Sequence, residues 1–415
     1  MTVLALSMAG EGIGGPMACP HCASIQTAGQ TVGRVAVVAC RTCGSELERR
    51  VGRTLDAAFA ASSGTFLLLF PANGLVFLQT AIAGTTRHSY LASGPAELWR
   101  EGWPALAVLV LVVLVLAPFV RYGLLSLVLG CLCLGLRPAW LGPAFRTADR
   151  LQVWAMVDVG LLALWIAFSR LDATVPTTLG PGGQCFVAAA ILALLSRATL
   201  NKAAVWRAVS GQPRVDMGEP LLACDGCGLL APSEPAPRPC PRCRSPLHPR
   251  FPGSVRRAVA FTAAGVALYA PANLYPMATV PIGFAPSSYT VLEGVKDLFE
   301  ARLYGLGVLV LSASFAVPLI KLLGMSWLIA SVLARSTRWL ILKTRLYALV
   351  EEIGRWSMVD PLVIALFVPV IQFNAKLYGR AEPAATAFAA VVVLTMLATQ
   401  MFDPRLLWDL RRGKP

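Results

Sequence analysis

Charge is scarce in this chain. Of its 415 residues only 14% are Asp, Glu, Lys or Arg, against about 25% in a typical soluble protein. A soluble enzyme of this length would split into two or three domains, and there is too little charge to solvate their surfaces. Histidine is scarcer still, with three residues, His21, His88 and His248. None lies in a long apolar run, which excludes the paired-histidine haem design of membrane cytochromes. No GxxxxGK[ST] pattern occurs, so no phosphate-binding loop of that type is expected. The first residues have neither the basic start nor the apolar core of a secretory signal, so insertion is expected to rely on the first spanning helix.

What the chain does have is apolar length. Hydrophobic residues make up 56%, and Lys+Arg 36 exceed Asp+Glu 22 for a net charge of +14. In a soluble protein that excess would suggest nucleic acid. In a membrane protein it reflects Lys and Arg retained on the cytoplasmic side, and we expect no nucleic-acid partner.

A spanning helix takes about 20 mostly apolar residues. Eight such segments are found, at 57–81, 104–136, 151–169 and 185–201, then at 257–280, 304–334, 356–373 and 384–401. Two exceed a single span and carry Pro118 and Pro318 near their middles. Each reads as one long kinked helix, with a re-entrant pair as the alternative. Basic residues concentrate in alternate loops: Arg49, Arg50 and Arg53; Arg137, Arg146 and Arg150; Arg197, Lys202 and Arg207; then Arg250, Arg256 and Arg257; Arg335 to Arg345; and Arg405 to Lys414. Both termini are therefore expected in the cytoplasm.

The chain repeats itself. Pro71-Ala72-Asn73 recurs as Pro271-Ala272-Asn273; Gly94, Leu98, Leu111 and Pro118 recur as Gly294, Leu298, Leu311 and Pro318; and Arg121 aligns with Lys321. After a two-residue insertion, Trp154, Met156 and Asp158 recur as Trp356, Met358 and Asp360, and Trp206 as Trp408. An even number of spans per half gives both halves the same orientation, a parallel repeat about an axis along the membrane normal.

Each half opens with cysteines. Cys19, Cys22, Cys40 and Cys43 form one cluster, and Cys224, Cys227, Cys240 and Cys243 the other. Two CxxC pairs a short loop apart are the ligand pattern of a zinc ribbon, and four thiolates favour zinc or iron. Gly44 and Gly228 directly follow a ligand pair, where the missing Cβ lets backbone N–H groups turn toward sulfur. Disulfides would need an oxidising compartment. His21 is read as a surface residue, and Cys131, Cys133 and Cys185 as small apolar residues of the spans. The expected architecture is a polytopic α-helical membrane protein: zinc-ribbon-like domains at 15–50 and 220–250, four-helix membrane domains at 51–207 and 254–410, and eight spanning helices in total.

Charges inside spans are costly and tend to be functional. Arg121 and Asp158 in the first half, and Lys321 and Asp360 in the second, occupy equivalent positions. The simplest reading pairs Arg121 with Asp158 and Lys321 with Asp360, either to fix packing or to line a cavity. Lysine is the more titratable cation when buried, which favours the second half as the active one. Asn73 and Asn273 follow prolines, and their amides would either satisfy a carbonyl that proline frees or mark a broken helix along a substrate path. RSTRWLILKTR at 335–345 reads as an amphipathic segment on the inner leaflet surface, with a weaker match at 137–150.

At these residues the chain resembles the paraquat-inducible protein A family of bacterial inner-membrane proteins. The carrying motifs are the doubled CxxC pairs, PANLYPM at 271–277, VPLIKLLGM at 317–325, LYALVEEIGRWSMVD at 346–360 and VVVLTMLATQMFDPRLLWD at 391–409. The first half departs at Arg121 and at Leu200 to Ala203. The resemblance implies a non-enzymatic partner of a periplasmic protein with a mammalian-cell-entry (MCE) domain. It would load or unload phospholipid at the inner membrane and so support the envelope. Two other readings compete: a membrane redox or stress protein with iron in the cysteine sites, and a non-transporting scaffold.

Overall fold

The computed structural model of the chain describes residues 16–27, 36–50, 55–82, 85–172, 176–211, 221–233, 238–276, 278–282, 285–300, 302, 304–371, 380–409 and 411. The first half opens with two antiparallel hairpins, β1 (Pro16–Ala18) with β2 (Ile25–Thr27), and β3 (Ala36–Ala39) with β4 (Glu46–Arg50). Helix α1 (Leu55–Gly74) follows, with Asp56 in its first turn, where a carboxylate complements the positive helix end. The hairpin β5 (Leu78–Ile82) and β6 (Thr85–Ser89) leads into α2 (Ser93–Arg100). A long helix then runs through α3 (Pro104–Leu111), a π-helical turn at Val112–Leu116, and α4 (Ala117–Cys133). Next come α5 (Leu141–Arg150), a 3-10 turn at Leu151–Val153, and α6 (Val157–Asp172). Strand β7 (Thr177–Leu179) returns to pair with β5, and α7 (Pro181–Thr199) and α8 (Lys202–Val209) close the half.

The second half repeats this order. It comprises β8 (Leu221–Ala223), β9 (Leu230–Pro232), α9 (Ser254–Leu274), β10 (Ala278–Ile282), β11 (Ala285–Tyr289), α10 (Val291–Glu300) and α11 (Tyr304–Leu311). After a π-helical turn at Ser312–Ala316 come α12 (Val317–Leu333), α13 (Leu340–Ile353), α14 (Val359–Ile371), β12 (Arg380–Ala381), α15 (Pro383–Met401) and α16 (Leu406–Asp409). The sheets have matching orders, β6-β5-β7 and β11-β10-β12. Within each half the first helix lies along the last span, α1 on α7 and α9 on α15, while α6 and α14 face each other across the seam between halves. The central core draws on both halves.

Six stretches among the described residues are long and apolar enough to cross a membrane: Leu55–Gly74, Pro104–Cys133, Leu141–Ser169, Pro181–Thr199, Ser312–Leu333 and Ala384–Met401. Each of the eight expected segments contains a helix among the described residues, but two of these helices fall short of that measure. Helix α9 begins with Arg256 and Arg257 and is rich in alanine, and α14 is described only as far as Ile371.

Two expectations need correction. The segments 57–81 and 257–280 are not helical to their ends. Helices α1 and α9 stop at Gly74 and Leu274, and the apolar residues that follow pair as strands. A short apolar run reads alike in helix and strand, and the last ladder bonds, from Leu75 N–H to Pro71 O and from Tyr275 N–H to Pro271 O, mark where each helix gives way. The long helices, by contrast, are continuous through Pro118 and Pro318, with no re-entrant break. Ala117 N–H reaches back five residues to Val112 O, and Val317 N–H to Ser312 O. That wider turn makes room for the proline ring directly after it.

Candidate metal centres and intramembrane polar sites

The eight cluster cysteines sit in four copies of one turn. In each, the residue after the second cysteine donates its N–H to the carbonyl of the first: Ala23 to Cys19, Gly44 to Cys40, Gly228 to Cys224 and Arg244 to Cys240, at 2.8–2.9 Å. That residue is left-handed in all four, with φ of 55° at Ala23, 77° at Gly44, 69° at Gly228 and 58° at Arg244. Thr42 N–H points at Cys40 Sγ, 3.4 Å away. Glycine was the legible signal at two of these positions; Ala23 and Arg244 adopt the same conformation at a steric cost.

The sulfurs converge in pairs: Cys19 to Cys43 3.5 Å, Cys22 to Cys40 3.6 Å, Cys224 to Cys243 3.5 Å, and Cys227 to Cys240 3.6 Å. Within each cluster the four lie within 4.8 Å of one another, and all eight are free thiols. Four thiolates about 2.3 Å from a tetrahedral zinc lie about 3.8 Å apart, so the donor sets fit such an ion. The hydrogen bond between the Cys19 and Cys22 side chains holds the Cys19 thiol below its usual range, against the effect of burial, and pushes Cys22 up. A dication held by Cys19, Cys22, Cys40 and Cys43, or by Cys224, Cys227, Cys240 and Cys243, would be bound through four thiolates and supply structural closure.

Each cysteine domain docks on the opposite half. The sulfurs of the first pack with Met325 and Leu328 of α12, Tyr347 and Val350 of α13, and Phe402 and Trp408 beyond α15. His21, expected at the surface, is half-buried with its ring 6.0 Å from that of Tyr347. The second cysteine domain packs on Leu125 and Val128 of α4, Phe145 of α5 and Trp206 of α8. There Gly142 leaves no room for a side chain, since a Cβ would lie 1.9 Å from Arg242 O. Charged tethers run the other way, from each cysteine domain to its own half. Buried Glu48 pairs with Arg207, and Asp225 accepts from Arg405 at 2.8 Å. Burial pushes Asp225 up despite that partner. Asp403 is held below its usual range because Arg405, donating twice at 2.8 Å, outweighs burial.

In the first half the polar residues of the spans are arranged differently from the expected intrahalf pair. Asp158 does not pair with Arg121. It accepts from Arg197 of α7 at 2.6 Å and lies 3.4 Å from Arg355 of the second half. Arg121 is buried over the Tyr122 ring at 5.1 Å, donates to Tyr122 Oη at 3.4 Å, and keeps its Nε unpartnered. Arg197 and Arg355 were missed as partners because neither has a charged counterpart in the other repeat: Thr399 and Val153 stand there.

Lys321 is 1% exposed, and its Nζ donates to Gly354 O at 3.3 Å. No ion pair involves it among the described residues. Asp360 lies on α14, and its side chain is outside the described ones. Ser357 shares the Gly354 carbonyl with Lys321, donating at 3.4 Å, and on the π-helical turn seven residues before Lys321 the Ser314 hydroxyl is buried without a hydrogen-bond partner. Asn73 and Asn273 donate to Leu69 O and Tyr269 O at 2.8 Å, each the carbonyl four residues back. The carbonyls that proline frees belong to Leu67 and Ala267, so neither amide plays the expected compensating role. Each leaves its Oδ1 buried and unpartnered. Cys133 is not simply apolar, since it donates to Asp56 at 3.3 Å.

Comparison with known proteins adds to this geometry. A family model described as Paraquat-inducible protein A matches residues 55–210 and 255–412, the two repeats. The chain is 30% identical over 373 residues to "Lipophilic envelope-spanning tunnel protein A" of Escherichia coli (strain K12), covering 89% of this chain and 86% of the relative. It is 25% identical over 381 residues to "Intermembrane transport protein PqiA" of the same organism, covering 89% and 90%. A "Probable intermembrane transport protein" of Haemophilus influenzae matches at 28% over 289 residues, 65% of this chain and 69% of that one. No solved structure matches the chain.

Proposed function

Because the chain belongs to the paraquat-inducible protein A family, we propose that it is the inner-membrane component of an intermembrane lipid transport system, loading or unloading phospholipid for a periplasmic MCE-domain partner. The names of the relatives support intermembrane transport over an enzymatic role. The cysteine domains, holding one zinc each, and both termini lie in the cytoplasm on this reading. The charge asymmetry of the loops favours that orientation. The small sheets β6-β5-β7 and β11-β10-β12 then face the periplasm and the partner.

One observation carries the site assignment: a fully buried lysine with a carbonyl, and no acid, as its described partner. A buried ammonium without a counter-ion is unstable as a purely structural element. Lys321 and Asp360 are the residues on which transport would turn, by exchanging a proton or meeting a headgroup, with Ser314, Asn273 and the wide turn before Pro318 lining the approach. Arg121, Asp158 and Asn73 are the corresponding positions of the first half. Lys321→Met and Asp360→Asn are expected to abolish complementation in a detergent-sensitivity assay while the protein accumulates normally. Full complementation by both would show that the polar site does not drive transport. Metal analysis of the purified chain should find two zinc ions; iron instead would favour a redox role.

A further inference from the structure

Where the two halves meet, a cavity of about 400 Å³ opens beside α7. It is within the usual size range of small-ligand sites. Its lining carries four cations, Arg121, Arg197, Lys202 and Arg355, against two carboxylates, Asp158 and Glu352. The balance is more lopsided inside. Lys202 is taken by Asp149 at 2.6 Å, and the Glu352 side chain is 72% exposed, 3.7 Å from both Arg197 and Arg355. Asp158 is thus the one buried carboxylate facing three arginines. Arg121 and Arg355 are 2% and 6% exposed; Arg121 Nε has no hydrogen-bond partner, and Arg355 Nη1 has none either, its one charged contact being the ion pair with Asp158 at 3.4 Å.

Buried guanidinium N–H groups are costly to leave unsatisfied, and an excess of guanidinium in a partly desolvated pocket selects an oxyanion that accepts several bonds at once. We propose that this seam cavity binds the phosphate group of an anionic ligand, with Arg121 and Arg355 as its donors and Asp158 as the carboxylate it competes with for Arg355. The mouth favours a lipid as the source. Leu194 and Trp356, both at the cavity rim, are exposed apolar side chains, and Leu194 belongs to the membrane-crossing helix α7. An acyl chain could lie along them while the phosphate enters. The site takes one arginine from each half, so an occupied cavity would join the halves. It is separate from Lys321 and does not require that transport occur.

The test uses the full chain purified in a neutral detergent. Thermal unfolding is followed during titration with short-chain phosphatidylglycerol and, separately, with inorganic phosphate. We expect saturable stabilisation by at least one probe, weakened at least tenfold in Arg121→Met and in Arg355→Gln. Asp158→Asn, which removes the competing buried carboxylate, should bind at least as tightly as the parent. Both arginine variants binding like the parent, or no response to either probe, overturns the proposal. If an arginine variant does not fold, weaker binding by Asp158→Asn overturns it instead. A response to the lipid without one to millimolar phosphate assigns the site to a headgroup; a response to phosphate alone assigns it to the free ion. No partner protein or transport assay enters, so failure of the transport reading leaves this result untouched.

Discussion

The two halves share a fold and differ in how they treat buried charge. In the first, Arg121, Asp158 and Arg197 meet at the seam with Arg355, and the positions equivalent to Ser314, Gly354, Ser357 and Thr395 are Leu114, Gln152, Ala155 and Ala193. In the second, Lys321 lies among carbonyls and hydroxyls. Packing differs in the same sense. Leu98 and Val110 belong to the central core, whereas their counterparts Leu298 and Val310 form a small cluster of their own with Val295. Helix α2 presses Gly94 onto Ala365 of the second half, while a Cβ at Gly294 of α10 would meet none of the described residues within 4 Å. Helix α2 is thus braced across the seam, whereas, among the described residues, α10 and α11 pack on each other.

The largest test of this comparison lies in the cysteine domains, because each clamps the half it does not precede. Structural zinc contributes about 10–16 kcal/mol of apparent binding energy in small zinc-finger peptides, more than the whole stability of a typical domain. Cys22→Ser should therefore release the first cysteine domain and raise amide exchange in α12 and α13 of the second half. Cys240→Ser should release the second and raise exchange in α5 and α8 of the first. If each variant loosens only its own half, the crossed docking is wrong.

A smaller test uses paired glycines. At Gly94 an added Cβ would lie 2.3 Å from the Ala365 carbonyl oxygen, so Gly94→Ala must push the seam apart, a cost of about 1–3 kcal/mol. At Gly294 nothing lies within 4 Å, and Gly294→Ala inside α10 should stabilise by up to about 1 kcal/mol from helix propensity alone. The two variants are expected to shift Tm in opposite directions. Equal shifts would mean that the halves are packed alike.

Much of this contrast was legible in the sequence, and the reason it was incomplete is physical. The repeat register runs from Pro71-Ala72-Asn73 through Trp206 because most copied residues keep their place in matching elements, as Pro71 and Pro271 do in α1 and α9 and Pro118 and Pro318 in α4 and α12. The cysteine spacing alone located eight converging sulfurs, because CxxC closes its own turn. Partners across the seam had no such local mark. The sequence offers Asp158 a cation within its own half, Arg121, yet the fold brings it Arg197 and Arg355. Crossed docking was equally hidden, since an apolar face does not say which half will cover it. Strands β5 and β10 were absorbed into helices because residues 78–82 continue an apolar run whose periodicity is ambiguous.

The finest test concerns the knuckle turns, where the two cysteine domains mirror each other. The first has its glycine at the second turn, Gly44, and alanine at the first; the second has Gly228 at the first turn and Arg244 at the second. An L-residue held left-handed costs about 1–2 kcal/mol. Glycine would relieve that strain but would enlarge the unfolded ensemble by about 0.4–1 kcal/mol. The difference leaves a small net gain, so Ala23→Gly and Arg244→Gly should each raise Tm slightly and leave metal stoichiometry unchanged. Ala23 is half-buried beside the ligand pair, and its methyl contributes some packing that glycine would forfeit. Arg244 is exposed, and its gain should be the larger of the two. A larger gain at Ala23 would mean that the first cysteine domain carries more strain than the second, and the mirror relation between them would fail.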